Sequence, residues 1–256
     1  MATCLAMLPN LEHLRFGFEF SRILPNRTNP PLPIRTVLPT LTSFRFEGVS
    51  EYLDDFVARI DAPALQTFYI DIRTSVFHIP QLYRFISHAE RPKLPTRAMV
   101  NFDVFTYIRP ILSDGFELTI RCGRGVPWMA SVCQELSPFL CHVERLELHG
   151  QYRLRDLPHH MHMEPPQWPE LFHPFIAVQS LYVSTQLVQL IVPALQDLTG
   201  ARAIEVLPEL RMLVLEEGRI SRSVEKVIES FVATCQRSNH PVVVQRWSID
   251  DDHRSL

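Results

Sequence analysis

The sequence contains no long hydrophobic run and no strong excess of one charge. No apolar stretch reaches the roughly 18–20 uninterrupted residues that a membrane-spanning helix needs, and the N-terminus does not have the pattern of a signal peptide. The 25 basic and 28 acidic side chains leave a formal net charge of −3, and no long basic run is present. Nucleic-acid binding normally requires a basic surface. We therefore expect neither a membrane nor a nucleic acid as partner.

Cysteine and glycine are also scarce. The five cysteines are odd in number and widely spaced, at positions Cys4, Cys122, Cys133, Cys141 and Cys235. This count does not suit a disulfide framework and predicts free, mostly buried thiols in a reducing compartment, so we expect a cytoplasmic or nuclear protein. Only 8 glycines accompany 21 prolines, and several prolines stand just before predicted strands, where a fixed φ angle costs little.

One short pattern, Pro-x-Leu-x-x-apolar-x-apolar, occurs four times. It reads LPNLEHLRF at Leu8–Phe16, LPTLTSFRF at Leu38–Phe46, APALQTFYI at Ala62–Ile70 and LPELRMLVL at Leu207–Leu215. Repetition of this kind is typical of proteins built from stacked units, because one unit cannot bury its own apolar face. Stacked units form a long continuous surface that commonly binds other macromolecules, so the repeats predict molecular recognition.

Strand and helix patterns alternate along the chain. Apolar residues at every second position predict strands with one buried face; the nine predicted strands are Leu11–Phe18, Leu41–Val49, Leu65–Ile72, Arg97–Asp103, Phe116–Cys122, Val143–Leu148, Val178–Val183, Leu210–Leu215 and Pro241–Trp247. Between several of them the apolar period becomes helical, in the segments 53–60, 82–89, 129–136, 187–198 and 224–235. Ser50 and Ser221 are the predicted N-caps of the first and last of these helices.

Alternation of strand and helix implies parallel neighbouring strands with the helices on one face of the sheet. We therefore predict an α/β fold, a leucine-rich-repeat-like horseshoe solenoid with parallel strands on the concave face and helices on the convex face. About eight irregular units are expected over residues 1–247. The segment 151–168, rich in His and Pro, predicts an inserted surface loop. Residues 248–256 predict a flexible C-terminal tail.

Several of these segments resemble a known family. The stretches LPNLEHLRFGFEF, RTVLPTLTSFRFEGVSEYLDDFVARIDAPALQ, PQLYRFIS and IVPALQDLTG…EVLPELRMLVLEE are similar to the C-terminal leucine-rich-repeat region of F-box proteins of mushroom-forming fungi. The resemblance covers nearly the whole chain and is most specific over Leu38–Gln66. In that family the F-box docks to the Skp-type adaptor of a cullin–RING ubiquitin ligase, and the repeats present a protein substrate. No F-box is visible in the sequence, so the resemblance implies a Skp-type adaptor only if an F-box precedes Met1.

The strand residues between two inward apolar positions are the candidates for partner binding, because they face the concave side of the predicted sheet. The candidates are Arg15, Arg45, Tyr69, Thr119, Glu147, Tyr182 and, with an apolar side chain, Val214. Arginine and tyrosine are enriched at interface hot spots. Arg15 and Arg45 favour an acidic patch on the partner, although Glu47 and Asp71 nearby weaken that inference. The alternative is that an open sheet face tolerates any residue at these positions.

No catalytic or metal-binding constellation is recognised in the sequence. The most metal-like group is His159, His160, His162 and Glu164. Adjacent histidines on a Pro-flanked loop do not have the i, i+4 spacing of a helical metal site, so a solvated loop is the preferred interpretation. Cys133 lies on an apolar helical stripe and is a predicted core thiol. No acid, base and nucleophile can be assembled around it or Cys141 by spacing.

The sequence leads to one main hypothesis and two alternatives. The main hypothesis is a non-catalytic protein-recognition scaffold that resembles the substrate-binding part of an F-box ubiquitin-ligase receptor, with an unknown protein substrate and no cofactor. The first alternative is a stand-alone protein-interaction repeat protein with no ubiquitin link. The second is a metal-dependent enzyme that uses the histidine loop.

Overall fold

The computed structural model of the protein describes residues 2–5, 7–18, 35–72, 77–88, 94–102, 106–111, 116–123, 126–150, 167–197, 205–218 and 220–247. Over these ranges the chain is mixed α/β, with a large, mostly parallel sheet and helices. None of the described helices is long and apolar enough to cross a membrane.

Ten of the described strands form one large sheet, and two short strands form a separate parallel pair. In chain order the strands are β1 (His13–Gly17), β2 (Thr36–Val37), β3 (Ser43–Gly48), β4 (Ile60–Asp61), β5 (Thr67–Ile72), β6 (Arg97–Phe102), β7 (Thr106–Ile111), β8 (Glu117–Cys122), β9 (Arg145–Gly150), β10 (Ser180–Val183), β11 (Met212–Glu216) and β12 (Val243–Trp247). The large sheet has the order β1-β3-β5-β8-β7-β6-β9-β10-β11-β12, and β2 pairs with β4.

Helices follow many of the strands. The described helices are α1 (Ala2–Leu5), α2 (Ser50–Val57), α3 (Leu82–Ser87), α4 (Val126–Glu135), α5 (Ser137–Leu140), α6 (Gln167–Phe172), α7 (Thr185–Asp197) and α8 (Arg222–Arg237). Of these, α2, α3 and α7 contact the same face of the large sheet. The ring of Phe44 in β3 contacts Phe56 of α2 and Phe85 of α3, with centroids 5.3 and 6.4 Å apart. Gly150 of β9 lies so close to α7 that an added Cβ would be 2.9 Å from Leu187. The core is thus the layer between strands and helices.

The repeated Pro-x-Leu pattern forms the turn that precedes a strand. The N–H of Leu41 donates to the carbonyl of Leu38 at 3.3 Å, which closes a four-residue turn with Pro39 at its second position. The N–H of Leu65 and the carbonyl of Ala62 close the same turn at 3.2 Å. Proline suits this position because its fixed φ angle matches the turn.

A second recurring contact sets the register between strands. The carbonyl of Glu12 accepts hydrogen bonds from the N–H groups of Thr42 and Ser43, at 2.9 and 3.1 Å. The carbonyl of Thr42 in turn accepts from Gln66 and Thr67, at 2.8 and 2.9 Å. The carbonyls of Thr96, Glu144 and Gln179 bind two N–H groups in the same way at the starts of β9, β10 and β11. These five strands, β3, β5, β9, β10 and β11, are therefore aligned to a neighbour from their first residue.

The middle of the large sheet differs from the predicted parallel ladder. β7 lies between β6 and β8 and runs antiparallel to both, so the chain passes through these three strands as a meander. As a result β8 lies next to β5, while β6 pairs with β9. The prediction of parallel neighbours throughout is wrong here. The sequence of β7 contains Pro110, which cannot donate to a ladder and therefore argues against a central strand.

The nine predicted strands all coincide with observed strands, and most begin two residues later than predicted. The turn explains this offset, because the leucine of the repeated pattern closes the turn and the ladder of hydrogen bonds begins after it. The five predicted helical segments are confirmed as α2, α3, α4, α7 and α8.

The two predicted N-caps have different outcomes. Ser221 is confirmed as the N-cap of α8, since its Oγ accepts a hydrogen bond from the N–H of Val224 at 3.4 Å. Ser50 is instead the first residue of α2, and Val49 occupies the cap position without a side-chain hydrogen bond. A serine at a helix start suits either position, so the sequence alone does not separate them. The predicted tail, 248–256, lies outside the described residues.

The last two residues of the predicted loop 151–168 belong to a helix. Residues 151–166 lie outside the described part of the chain, but Trp168 belongs to α6 and is fully buried. Its ring lies 5.6 Å from that of Phe102 and 6.0 Å from that of Phe172, measured between centroids. These aromatic contacts place the end of the predicted loop in the core.

Replacing Phe44 with alanine should destabilise the protein strongly. Its ring is fully buried and stacks on Phe68 of β5, with centroids 4.9 Å apart. Loss of a buried phenylalanine side chain costs about 3–5 kcal/mol, because a cavity remains. The free energy of unfolding from a urea titration measures the effect. Val37→Ala is the control, since Val37 is 56% exposed. An F44A protein as stable as this control would contradict the assigned core.

Candidate binding surface on the sheet

The first four candidate residues lie side by side on the face of the sheet opposite the helices, named the open face. Arg15 pairs in register with Arg45. Tyr69 pairs with Arg45 on one side and with Thr119 on the other. The four side chains therefore form one row across β1, β3, β5 and β8, since paired residues of neighbouring strands point to the same face.

The remaining candidates continue this row beyond the meander. Tyr182 pairs with Glu147 on one side and with Val214 on the other. Met99 of β6 pairs with Glu147 and with Arg109 of β7, and these two strands separate the second group from the first. The structure therefore brings the candidates together in two groups rather than in one continuous run.

The first group contains a charge cluster named the first arginine unit, formed by Arg15, Arg45, Glu47 and Tyr69. Oε1 of Glu47 accepts a hydrogen bond from Nη2 of Arg15 at 2.9 Å and from Nε of Arg45 at 2.8 Å. The guanidinium of Arg45 also lies over the ring of Tyr69, 4.4 Å from its centroid. Two arginines thus share one carboxylate, which leaves the unit with a net charge of +1.

The second group contains the same arrangement, named the second arginine unit and formed by Arg97, Arg145, Glu147 and Tyr182. Arg97 and Arg145 are a register pair of β6 and β9. Glu147 accepts a hydrogen bond from Nη2 of Arg97 at 2.9 Å and from Nε of Arg145 at 2.6 Å. The guanidinium of Arg145 lies 3.9 Å from the centroid of the Tyr182 ring. This unit also has one more arginine than carboxylates.

Two further side chains flank the second arginine unit. Nε2 of His149 lies 3.4 Å from Oε2 of Glu147. Trp247 of β12 packs edge-on against Tyr182, with ring centroids 6.3 Å apart. An aromatic pair therefore lies beside the charges, and tyrosine, tryptophan and arginine are the residues most enriched at binding hot spots.

The pKa of Glu147 shows that the surrounding charges hold this carboxylate ionised. Burial on its own raises the pKa, but hydrogen bonds from His149 and Arg97 and the charges of Arg97 and Arg145 lower it to about 2. Burial raises the pKa of Glu47 as well, and the two arginines of its unit bring that pKa below its ordinary value. Both glutamates are therefore ionised at neutral pH, and neither suits the role of a general acid.

Two ion pairs lie on the strands between the two units. Nη1 of Arg121 lies 3.8 Å from Oδ2 of Asp71, and Nη2 of Arg109 donates to Oε1 of Glu117 at 2.8 Å. On the open face of β5, β8 and β7, arginines and carboxylates are therefore equal in number.

The thiols of the described core are poor nucleophiles. Burial, with a smaller contribution from the charge of Asp71, raises the pKa of Cys122 to about 12. Burial also raises the pKa of Cys133 well above its ordinary value, and its position confirms the predicted core thiol. Cys141 is half-buried, with its Sγ 3.1 Å from Nδ1 of the adjacent His142.

The described residues contain no group of three or more His, Cys, Asp or Glu side chains placed to hold a metal ion. The histidine group at 159–164 lies outside the residues that the structure describes. The metal-dependent enzyme suggested by that group therefore stays an untested alternative.

Comparison of the chain with protein-family models, with curated proteins and with solved structures finds no match. The resemblance to the repeat region of F-box proteins therefore stays a prediction from the quoted segments. The candidate surface rests on the register, distances and charges of the described strands.

Sequence reasoning missed the arginine partners of Glu147. Arg145 precedes Glu147 by two residues on β9, so the same period of two that identified Glu147 also places Arg145 on the open face. Arg97 could not be found in this way, because its place beside Arg145 depends on the meander that brings β6 next to β9. No short sequence pattern signals that pairing.

Replacing Glu147 with glutamine should destabilise the protein, and the effect should depend on pH. Glu147 is 4% exposed, and its loss leaves two half-buried arginines without their shared carboxylate, so we expect a cost of about 1–3 kcal/mol at neutral pH. The folded pKa of about 2 lies below the ordinary 4.5. The stabilisation is therefore complete above that ordinary value and is lost as the pH falls towards the folded pKa. Urea titrations across this range measure it.

Glu47→Gln is the matched control for this experiment. Glu47 makes the same two arginine contacts but is 15% exposed, and the side chain of Arg15 is 67% exposed. The more solvated cluster should therefore lose less than about 1 kcal/mol. An E147Q protein that matches E47Q at neutral pH, or whose deficit is unchanged in acid, would contradict the assigned role of Glu147.

Proposed function

We propose that the chain is a non-catalytic protein-recognition scaffold whose open face binds a protein partner. The observation that carries this proposal is the row formed by Arg15, Arg45 and Tyr69 and continued by Glu147 and Tyr182. Arginine and tyrosine are the residue types expected at the energetic centre of an interface. Their position on paired strands also favours binding, because a side chain that is already ordered loses less entropy in a complex.

The proposal includes the leucine-rich-repeat-like horseshoe, with the open face on its concave side and the helices on the convex side. Three features support it: the recurring proline turns, the carbonyls that align successive strands, and the parallel pairing of β1, β3 and β5 and of β9 to β12. A curved array of this kind would present the row to a partner along an extended surface.

The link to ubiquitin ligation rests on the family resemblance alone. In that version the chain presents a substrate to a ligase whose Skp-type adaptor is bound by an F-box in the same polypeptide. The alternative is a stand-alone interaction protein with no ubiquitin link. Copurification of a Skp-type adaptor with the product of the native transcript would favour the first version, and its absence the second. Recognition through the open face is common to both.

We also place the protein, as part of this proposal, in the cytoplasm or the nucleus. The five cysteines are free, and Cys122, Cys133 and Cys235 are buried. Free buried thiols are typical of proteins that work in a reducing compartment.

Peptides selected on the purified protein should bind the open face. A display library of random peptides of about twelve residues, long enough for an extended segment to cross several strands, provides the ligands. Thr119→Tyr places a larger side chain in the middle of the row. Tyrosine, like threonine, is a residue that strands favour. We expect this substitution to weaken binding of the enriched peptides about tenfold or more, as measured by fluorescence anisotropy.

Ser230→Tyr provides the matched control, since Ser230 is exposed on α8 and the substitution adds the same side chain outside the sheet. It should leave the affinities unchanged, and thermal unfolding should show that both variants are folded. Peptides that bind T119Y as tightly as the wild type, or that lose affinity only for S230Y, would contradict binding at the open face.

A further inference from the structure

The two arginine units repeat one arrangement on separate parts of the sheet. In each, two arginines form a register pair of adjacent strands, Arg15 with Arg45 and Arg97 with Arg145. In each, a glutamate two residues further along the second strand binds both arginines. Like charges opposite each other in a sheet repel, and among the residues of each unit one carboxylate binds two arginines.

The arginine on the second strand of each unit is fixed in position, but its terminal N–H groups remain available for hydrogen bonds. Nε of Arg45 and of Arg145 is bound to the glutamate, and the guanidinium face lies on a tyrosine ring. The terminal nitrogens of these two arginines have no hydrogen-bond acceptor among the described residues. Their side chains are 44% and 33% exposed, so a ligand can reach them. A fixed guanidinium with available N–H groups is well suited to bidentate binding of an anion.

We infer that each arginine unit binds one carboxylate side chain of an acidic segment of a protein partner, through the terminal N–H groups of Arg45 and Arg145. This inference rests on the proposed function and specifies the chemistry of the partner. The anion would lie beside two arginines that share one glutamate within each unit. Tyr182 and Trp247 offer an aromatic contact beside the anion bound at the second unit.

The charges around the units favour an acidic protein segment over a nucleic acid. Glu47, Asp71, Glu117 and Glu147 interrupt the positive charges on the open face, whereas a nucleic acid requires a continuous basic surface. Five strand positions separate β3 from β9, which corresponds to about 24 Å along the sheet, or roughly seven residues of extended chain. One segment with two acidic groups at that spacing can therefore occupy both units.

The test uses the most enriched display peptide, synthesised in three versions. One keeps its acidic residues, one replaces them with the corresponding amides, and one replaces them with phosphoserine. Fluorescence anisotropy measures the affinity of each version for the wild type, Arg45→Gln and Arg145→Gln. Arg59→Gln is the control, because Arg59 also pairs with a carboxylate, that of Asp55 at 2.7 Å, but lies after α2 and not on the open face.

We expect the amide peptide to bind the wild type at least about tenfold more weakly than the acidic peptide, and each open-face variant to lose a similar factor for the acidic peptide. R59Q should behave as the wild type. Arg145→Lys keeps the charge but loses the planar guanidinium group. Its affinity for the acidic peptide should lie between those of the wild type and R145Q. The phosphorylated peptide should bind no more tightly than the acidic one, and tighter binding of the phosphorylated peptide would overturn the assignment of a carboxylate as the occupant.

Equal affinity for the acidic and amide peptides, or R45Q and R145Q proteins that bind as R59Q does, would overturn the inference. If Thr119→Tyr still lowers the affinity of such peptides, recognition at the open face stands and only the anionic chemistry is wrong. If Thr119→Tyr has no effect either, the proposed function fails with it.

Discussion

The register of the parallel strands is the constraint on which the open face depends. A proline turn ends just before several strands, and the carbonyl that precedes one strand binds two N–H groups at the start of the next. Side chains alternate between the two faces, so a slip of one residue would send the open-face arginines into the core. In β3, Arg45 lies between Phe44 and Phe46, which are fully buried. Burial of the phenylalanines and solvation of the arginine therefore enforce the same register.

This register places two arginines next to each other in each unit, and one glutamate offsets their repulsion. Arginines placed opposite each other repel, and Arg97 and Arg145 remain together because Glu147 binds both. Burial on its own raises the pKa of Glu147, but hydrogen bonds from His149 and Arg97 and the charges of Arg97 and Arg145 keep that pKa low. The same contacts hold Arg145 against the ring of Tyr182. The stiffness that keeps the strands stable is also what a binding surface requires.

Much of the sheet and part of the candidate surface could be predicted from the sequence. A period of two marks the residues that share a face of a strand, so Arg15 and Arg45 were recognisable as neighbours on the open face. The order of the strands could not be predicted, because Pro110 makes β7 unlike a central strand. Arg97 lies beside Arg145 only because the meander places β6 next to β9, and no sequence pattern predicts that strand order. Local spacing thus predicts which way a side chain points, whereas its neighbours across the sheet depend on topology.

The side-chain Nε–H resonances of Arg45 and Arg145 test the central claim most directly. Both groups are bound to glutamates, so in the free protein they should exchange slowly with water and give sharp NMR signals, assigned with the glutamine variants. Addition of the acidic display peptide should shift both signals. It should leave unchanged the Nε–H of Arg237, which binds the carbonyl of Ala233 in α8. Binding of the peptide without movement of either signal would contradict the account.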